Sequence, residues 1–350
     1  MRDYVDNAVN HDFDLGKVQF LILTENFVEK KEYSSILEEA GVDGDVMNET
    51  DREQMLNDMN LARFKNLFPK RSHAETSFGL FYMWFQGHST GFLIDDDTAP
   101  QPSCDYFQTH LNSISYKGPI LSLASSSRWV NVLHYSFPRY HLYPRGFPYS
   151  ATHESLTKQM VAANGFDISQ GLWTDIPDLD AIRILIDGDL NGQSKTRFRV
   201  EDYGENFTVA AGNYLTLCSM NLCFRRRIIP GFYQFPMDDN PWKIGRFDDI
   251  WSGVVIKKLL DSIGERIITG NPLCKHAKAP RSTFKDLNTE APGLEANETF
   301  YLSVDRAGAL TGDFVDKSAA IARSLANDSN DFIRYCGRLF LKWTELMNAF

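Results

Sequence analysis

The sequence predicts an α/β protein built on an open, mostly parallel sheet flanked by helices, with a helical C-terminal extension. Three observations predict it. Short apolar runs alternate with helical patterns over the first hundred residues. One run, GFLI (91–94), ends directly in the carboxylates Asp95, Asp96 and Asp97, and open sheets bind ligands beyond strand carboxyl ends. The last twenty residues repeat their apolar positions at helical spacing.

Taken in order, residues 2–9 carry a helical pattern, and VQFLILTE (18–25) is an apolar run of strand length. SSILEEAG and ETDREQMLNDMNLARF read as helices, the second with Met55, Met59, Leu61 and Phe64 at helical spacings. AETSFGLFYMWFQG (74–87) is an apolar helix closed by Gly87, and it feeds the GFLI strand and the Asp triplet. GPILSLAS (118–125) and FTVAAG (207–212) are further strands, with an aromatic, Pro-rich segment (129–150) folded irregularly over a site between them. Residues 249–260 read as a helix presenting Ile250, Val254, Leu259 and Leu260. KAPRSTFKDLNTEAPGLEANE (278–298) has the composition of a loop or linker. Beyond it, Phe332, Ile333, Cys336, Leu339, Phe340, Trp343 and Met347 form the stripe of a packing helix.

With 350 residues, 43% of them hydrophobic, the chain can bury a sizeable core. A net charge of −10 gives no general attraction to nucleic acid, so any bound phosphate has to be held locally. The five cysteines (104, 218, 223, 274 and 336) have no paired short spacing, which argues against a disulfide framework or a zinc ribbon. The N-terminal stretch is too charged for a signal peptide, and no run approaches the ~20 apolar residues of a membrane span. A soluble, cytoplasmic protein is the expectation.

Four constellations carry candidate chemistry. Asp95, Asp96 and Asp97 repel one another, so they are either a solvated turn or a site for a hard divalent cation, Mn²⁺ or Mg²⁺. Asp248 and Asp249 stand where a helix begins. One can cap it, leaving the other to orient a sugar hydroxyl or act as a base. His276, in HAK, follows an apolar ending and a Gly-Asn-Pro turn. Arg145 sits between Pro and Gly in a constrained aromatic loop, whereas Arg225, Arg226 and Arg227 read as a solvated edge.

The order IDDD, PRGFPYS, SQGLWTDIPDLDA, CSMNLCF, GRFDDIWSG and TGNPLCKHAKAP resembles the reversibly glycosylated polypeptide family, the plant UDP-arabinopyranose mutases and their relatives. The likeness runs from about residue 71 to 283. It implies a GT-A-like nucleotide-diphospho-sugar transferase fold over residues 1–283, with residues 284–350 as a helical extension packed on it. It also implies a UDP-sugar substrate and a divalent metal on Asp95 and Asp97, with His276 as a further ligand. Asp95, Asp96 and Lys278 would face the nucleotide diphosphate. Asp248 and Asp249 would lie near the sugar, and Arg145 matches the arginine that the family glycosylates reversibly.

Family members interconvert the pyranose and furanose forms of UDP-L-arabinose, which implies loss of UDP, transient holding of the sugar and its return. A guanidinium is almost always protonated and so a poor nucleophile, which leaves the covalent role of Arg145 open. Two departures stand out. A further family arginine is replaced where Thr152, His153 and Glu154 follow, and the first GT-A strand is expected to be missing or atypical, with Glu25 as the acidic residue meeting the nucleoside. An ordinary glycosyltransferase and a non-catalytic nucleotide-sugar-binding partner are the competing readings. A homo- or hetero-oligomer is compatible with each.

Overall fold

The chain opens with α1 (Arg2–Asn10), β1 (Phe20–Leu23), α2 (Phe27–Ala40), β2 (Gly44–Met47) and α3 (Glu49–Asp58). The computed structural model describes residues 1–350 except 71, 153, 154, 238, 239 and 265 and the side chain of Phe27. His153 and Glu154 therefore lie outside the described residues. Local chemistry sets these boundaries: the Asn26 side chain accepts from the Glu29 N–H at the start of α2 (3.0 Å), and Asn48 and Asp51 form a reciprocal capping box on α3. β1 and β2 pair in parallel as a small sheet of their own.

Next come α4 (Thr76–Gln86), β3 (Thr90–Ile94), β4 (Thr98–Pro100), α5 (Tyr106–Ser115), β5 (Lys117–Ser125), α6 (Val132–Ser136), β6 (Leu156–Asn164), β7 (Ile168–Asp175) and α7 (Ala181–Asp187). Gly87 closes α4 with φ 80°, a left-handed conformation that glycine adopts without strain. The chain ends through β8 (Phe207–Val209), β9 (Asn221–Arg225), α8 (Asp248–Ser262), β10 (Ile267–His276), α9 (Thr283–Asp305), α10 (Phe314–Ala326) and α11 (Asp331–Met347).

The large sheet has the order β3-β9-β7-β10-β8-β5-β6, with β4 also paired to β10. It is open and flanked by helices, as expected, but it is mixed rather than mostly parallel. Only β7–β10 and β5–β8 are parallel pairs in it; β9 runs antiparallel between β3 and β7, and β6 runs antiparallel to β5. A consequence for the site follows from the signs of these pairings. β3, β7 and β10 all point the same way, so their carboxyl ends open onto one end of the sheet.

Two further expectations are corrected. Residues 278–298 are not a linker, because α9 begins at Thr283 and carries Pro292 within it. Its buried stripe, Thr283, Asp286, Glu290, Gly293, Asn297, Phe300 and Val304, has strict helical spacing but is largely polar or small. The Gly-Asn-Pro sequence before His276 is not a turn but an irregularity inside β10, where the register to β7 shifts between Gly270, Pro272 and Cys274.

The core is aromatic. Trp251 of α8 stacks on Phe300 of α9 at 4.1 Å, and Tyr233 stacks on Trp343 of α11 at 5.2 Å. Every apolar residue predicted for the C-terminal stripe is buried. Arg225 and Arg226 are half-buried rather than part of a solvated edge, whereas Arg227 is exposed as expected. Arg225 donates to the carbonyls of Phe166 and Ile114, Arg226 lies over the Trp84 ring at 4.2 Å, and Arg227 pairs with Asp167.

Candidate active site

The turn between β3 and β4 consists of Asp95, Asp96 and Asp97, and each carboxylate can offer an oxygen within 4.8 Å of the other two. The turn is tied down by its backbone: the Asp95 N–H donates to Met220 O (3.3 Å), and the Thr98 hydroxyl donates to Asp95 O (2.7 Å). Because β4 pairs with β10 and sets Thr98 opposite His276, Asp97 meets the imidazole, with Oδ2 at 3.3 Å from Nε2. The other ring nitrogen, Nδ1, donates to Ile176 O at 2.7 Å, just past the end of β7. A carbonyl can only accept, so Nδ1 carries the proton and Nε2 faces the carboxylates.

The electrostatics of this turn are those of crowded like charges. Burial, then the like charges of Asp97 and Asp96, push the Asp95 carboxyl up to about 6 against the opposing pull of His73. Asp97 Oδ1 is buried and has no hydrogen-bond partner among the described residues. The His276 imidazole is also raised, because Asp97 outweighs the effect of burial. Clustered hard oxygen donors with one imidazole suit Mn²⁺ or Mg²⁺, and the orphaned Asp97 oxygen fits that use.

Past the ends of β7 and β10 lies a second charge network. Lys278 is 5% exposed, and its ammonium has no hydrogen-bond partner among the described residues. Burial pushes it down to about 8, with Asp178 opposing. Asp178 itself is held well below the usual carboxylate range, because Arg145, Lys278, His276 and Arg246 outweigh the cost of its burial.

Arg145 is locked into this network. Its Nε donates to Asp178 Oδ2 (3.0 Å), its two terminal nitrogens face the Asp249 oxygens (3.3 and 3.4 Å), and one also donates to Arg246 O. Burial works against the charge, but Asp178 and Asp249 overcome it and push the guanidinium well above its ordinary value. The surrounding loop is pinned by Arg183, which donates to Pro144 O and Phe147 O, and by Asn297 of α9, which donates to Gly146 O. Gly146 has φ 84°, and a Cβ there would collide with Ile250.

Asp248 and Asp249 occupy the first turn of α8, and Phe247 precedes them at the cap position. Neither stands at the cap position, although Asp249 Oδ1 accepts the Ile250 N–H within the first turn (2.9 Å). Asp249 takes Arg145 and the Ser219 N–H (3.3 Å). Asp248 lies 2.6 Å from Nδ1 of His73, which holds its carboxyl low despite burial. The neighbouring residues Ser219 and Met220 thus bind Asp249 and Asp95 in turn, which joins the two acidic groups into one site.

A family model for reversibly glycosylated polypeptides matches residues 18–334. The chain belongs to the reversibly glycosylated polypeptide family. Probable UDP-arabinopyranose mutase 2 of Solanum tuberosum is 30% identical over 206 residues, covering 58% of this chain and 50% of the relative. UDP-arabinopyranose mutase 1 of Arabidopsis thaliana is 30% identical over 206 residues, with 58% and 52% covered. UDP-arabinopyranose mutase 1 of Oryza sativa subsp. japonica gives 30%, 58% and 50% over the same length. The chain thus spans about half the length of the curated relatives it matches.

In this reversibly glycosylated polypeptide the structure gathers Asp95, Asp96, Asp97, Arg145, Asp248, Asp249, His276 and Lys278 at one end of the sheet. Glu25 is not joined to them: it is exposed in the turn after β1, and no hydrogen bond or ion pair among the described residues links its carboxylate to the cluster. Sequence reasoning missed His73, Asp178 and Arg246. Asp178 lies inside the motif SQGLWTDIPDLDA and was within reach. Arg246 pairs with Asp286 and Glu290 (2.9 and 3.0 Å), both on the helix read as a linker. No helix among the described residues is long and apolar enough to cross a membrane.

Proposed function

We propose that the protein acts on a UDP-sugar as a UDP-arabinopyranose mutase-like enzyme. The observation that carries this reading is the pairing of a clustered carboxylate turn with the buried ammonium of Lys278, which has no hydrogen-bond partner among the described residues, at the same end of the sheet. Acidic groups alone repel a diphosphate. A cation held by Asp95, Asp97 and His276, with Lys278 nearby, reverses that sign. When bound, Mn²⁺ or Mg²⁺ would neutralise negative charge on the departing diphosphate.

The chain's own residues supply the rest. Asp96, exposed at the tip of the turn, faces the ligand side, and Lys278 binds a diphosphate oxygen. Asp248 and Asp249 line the sugar side, with Asp249 fixed by Arg145 so that one oxygen orients a sugar hydroxyl. Arg145 serves in this reading as the fixed positive centre that pairs with Asp178 and Asp249.

A second reading, transfer of the sugar to a separate acceptor, is favoured by the same arginine. A guanidinium in two ion pairs and held protonated has no lone pair with which to carry the sugar. Incubation with labelled UDP-arabinopyranose and Mn²⁺, followed by separation of pyranose and furanose products and by peptide mapping, tests both. Ring isomerisation without an acceptor supports the mutase. Slow hydrolysis alone, accelerated by added sugar acceptors, supports the transferase.

A further inference from the structure

His73 is a histidine that the cluster above does not use. It lies in a short 3₁₀ turn, His73–Glu75, that leads into α4. The turn is firmly held: Glu75 pairs with Arg52 at 2.8 Å, and Arg52 donates to the carbonyls of Thr24 and Met47, at the carboxyl ends of β1 and β2. On its other side, Nδ1 of His73 donates to the buried carboxylate of Asp248. Asp249 and Asp95 add to the attraction that keeps the imidazole protonated. The start of α8 thus holds the ring directly, while the ends of β1 and β2 hold the turn that carries it through Arg52 and Glu75.

That ring is not closed off. Its side chain is 45% exposed, whereas that of Asp248 is 9% exposed. Nε2 has no hydrogen-bond partner among the described residues. A buried carboxylate that fixes one ring nitrogen and leaves the other facing solvent produces an oriented, charge-assisted donor. Such a donor bonds an anionic oxygen more strongly than a neutral hydroxyl. Its neighbours differ from those of Lys278, which are Asp178, Arg246, Arg281 and Asp286, so the two cations address different oxygens.

We propose that His73 Nε2–H binds a phosphate oxygen of the nucleotide sugar, with Asp248 as the positioning residue that aims the ring. The inference rests on the nucleotide-sugar reading of the site. It is tested by calorimetry on the full chain with Mn²⁺ alone, then with UDP and with uridine in the presence of Mn²⁺. His73→Gln should weaken UDP binding about 10- to 100-fold, the range for loss of a charged hydrogen bond, and lower neither Mn²⁺ nor uridine affinity. His73→Arg, which keeps a cation beside Asp248, should retain UDP affinity within a few-fold. Unchanged UDP affinity in His73→Gln, or an equal loss for uridine, overturns the assignment, as does a wild-type protein that binds no UDP. If His73→Gln does not fold, the His73 ring resonances of the wild type are followed by NMR: they should shift on adding UDP and not on adding uridine, and the reverse overturns the proposal. A protein that binds Mn²⁺ and UDP but isomerises no UDP-arabinose removes the mutase reading and leaves the His73 result standing.

Discussion

His276 and Asp97 meet at 3.3 Å, Nε2 to Oδ2, because the pairing of β4 with β10 carries the acidic turn across to the imidazole. The contact is made by two segments 179 positions apart in sequence. It brings an imidazole from the end of β10 to a row of carboxylates in the turn between β3 and β4.

Asp97→Asn keeps the shape of that contact and removes one charge. Cation affinity in such sites follows the number of ligand charges, so Mn²⁺ affinity should fall at least about tenfold. The metal-free protein gains from the eased repulsion within the triplet and loses the attraction to His276, so its stability should change little. Titration calorimetry and thermal unfolding without metal check the two halves. An unchanged Mn²⁺ affinity would place the cation elsewhere or nowhere.

Arg145 holds two buried carboxylates at once, Asp178 and Asp249. Replacing it with Met leaves both without their main counter-charge, and breaking a buried pair in this way typically costs about 3–5 kcal/mol. Arg145→Lys keeps the charge but cannot span both partners, so it should fall between. Urea denaturation measures this order. A loss below about 1 kcal/mol for Arg145→Met would mean that Asp178 and Asp249 are held by other groups.

The elements visible in the sequence are those whose buried face is apolar. α4 and the C-terminal stripe of α11 announce themselves because Phe, Trp and Leu recur at helical spacing. α9 does not, because its inward face meets the site: Asp286 and Glu290 take Arg246, and Asn297 holds Gly146. Its regular spacing was present, written in polar residues that hydrophobic periodicity does not register. β10 was obscured by Gly270 and Pro272, which read as a turn yet sit in a strand held by partners on both edges. The Asp triplet, Asp248, Asp249, His276 and Lys278 were legible through motif order. His73 had no such signal, since only the fold brings position 73 to position 248.

The His73–Asp248 pair gives stability a defined pH profile. His73 is raised from 6.5 to about 10, so its share is full below about 6.5 and is lost as pH climbs toward 10. Asp248 is lowered, so its share is present above the usual carboxylate range and fades only in stronger acid. Between about pH 4 and 6.5 the pair is fully formed. NMR titration of the metal-free protein should find His73 still protonated at pH 8. In Asp248→Asn the ring should titrate near its ordinary value. A wild-type midpoint near 6.5 would remove the charged pair.

The first helix, which lies outside the matched family span, supports the acidic turn through a directed chain of hydroxyls. Thr98 Oγ1 spends its one proton on Asp95 O (2.7 Å), so the Tyr4 hydroxyl, also at 2.7 Å, must donate to Thr98. Burial pushes the Tyr4 phenol up and keeps that proton in place. The direction makes the two ends unequal. Tyr4→Phe removes a donor from an oxygen that retains its own bond, and should cost about 1 kcal/mol. Thr98→Val strands the buried Tyr4 hydroxyl and leaves the Asp95 carbonyl only the backbone N–H of residue 98 (3.2 Å), and should cost about 1–3 kcal/mol. Mn²⁺ affinity should follow the same order, because the loosened bond from Thr98 to Asp95 O closes the turn that carries Asp95 and Asp97. In the double variant the stranded hydroxyl is gone, so the combined loss should be smaller than the sum of the single losses. Equal losses for the two single variants, or strict additivity, would mean that the chain does not run from α1 into the turn.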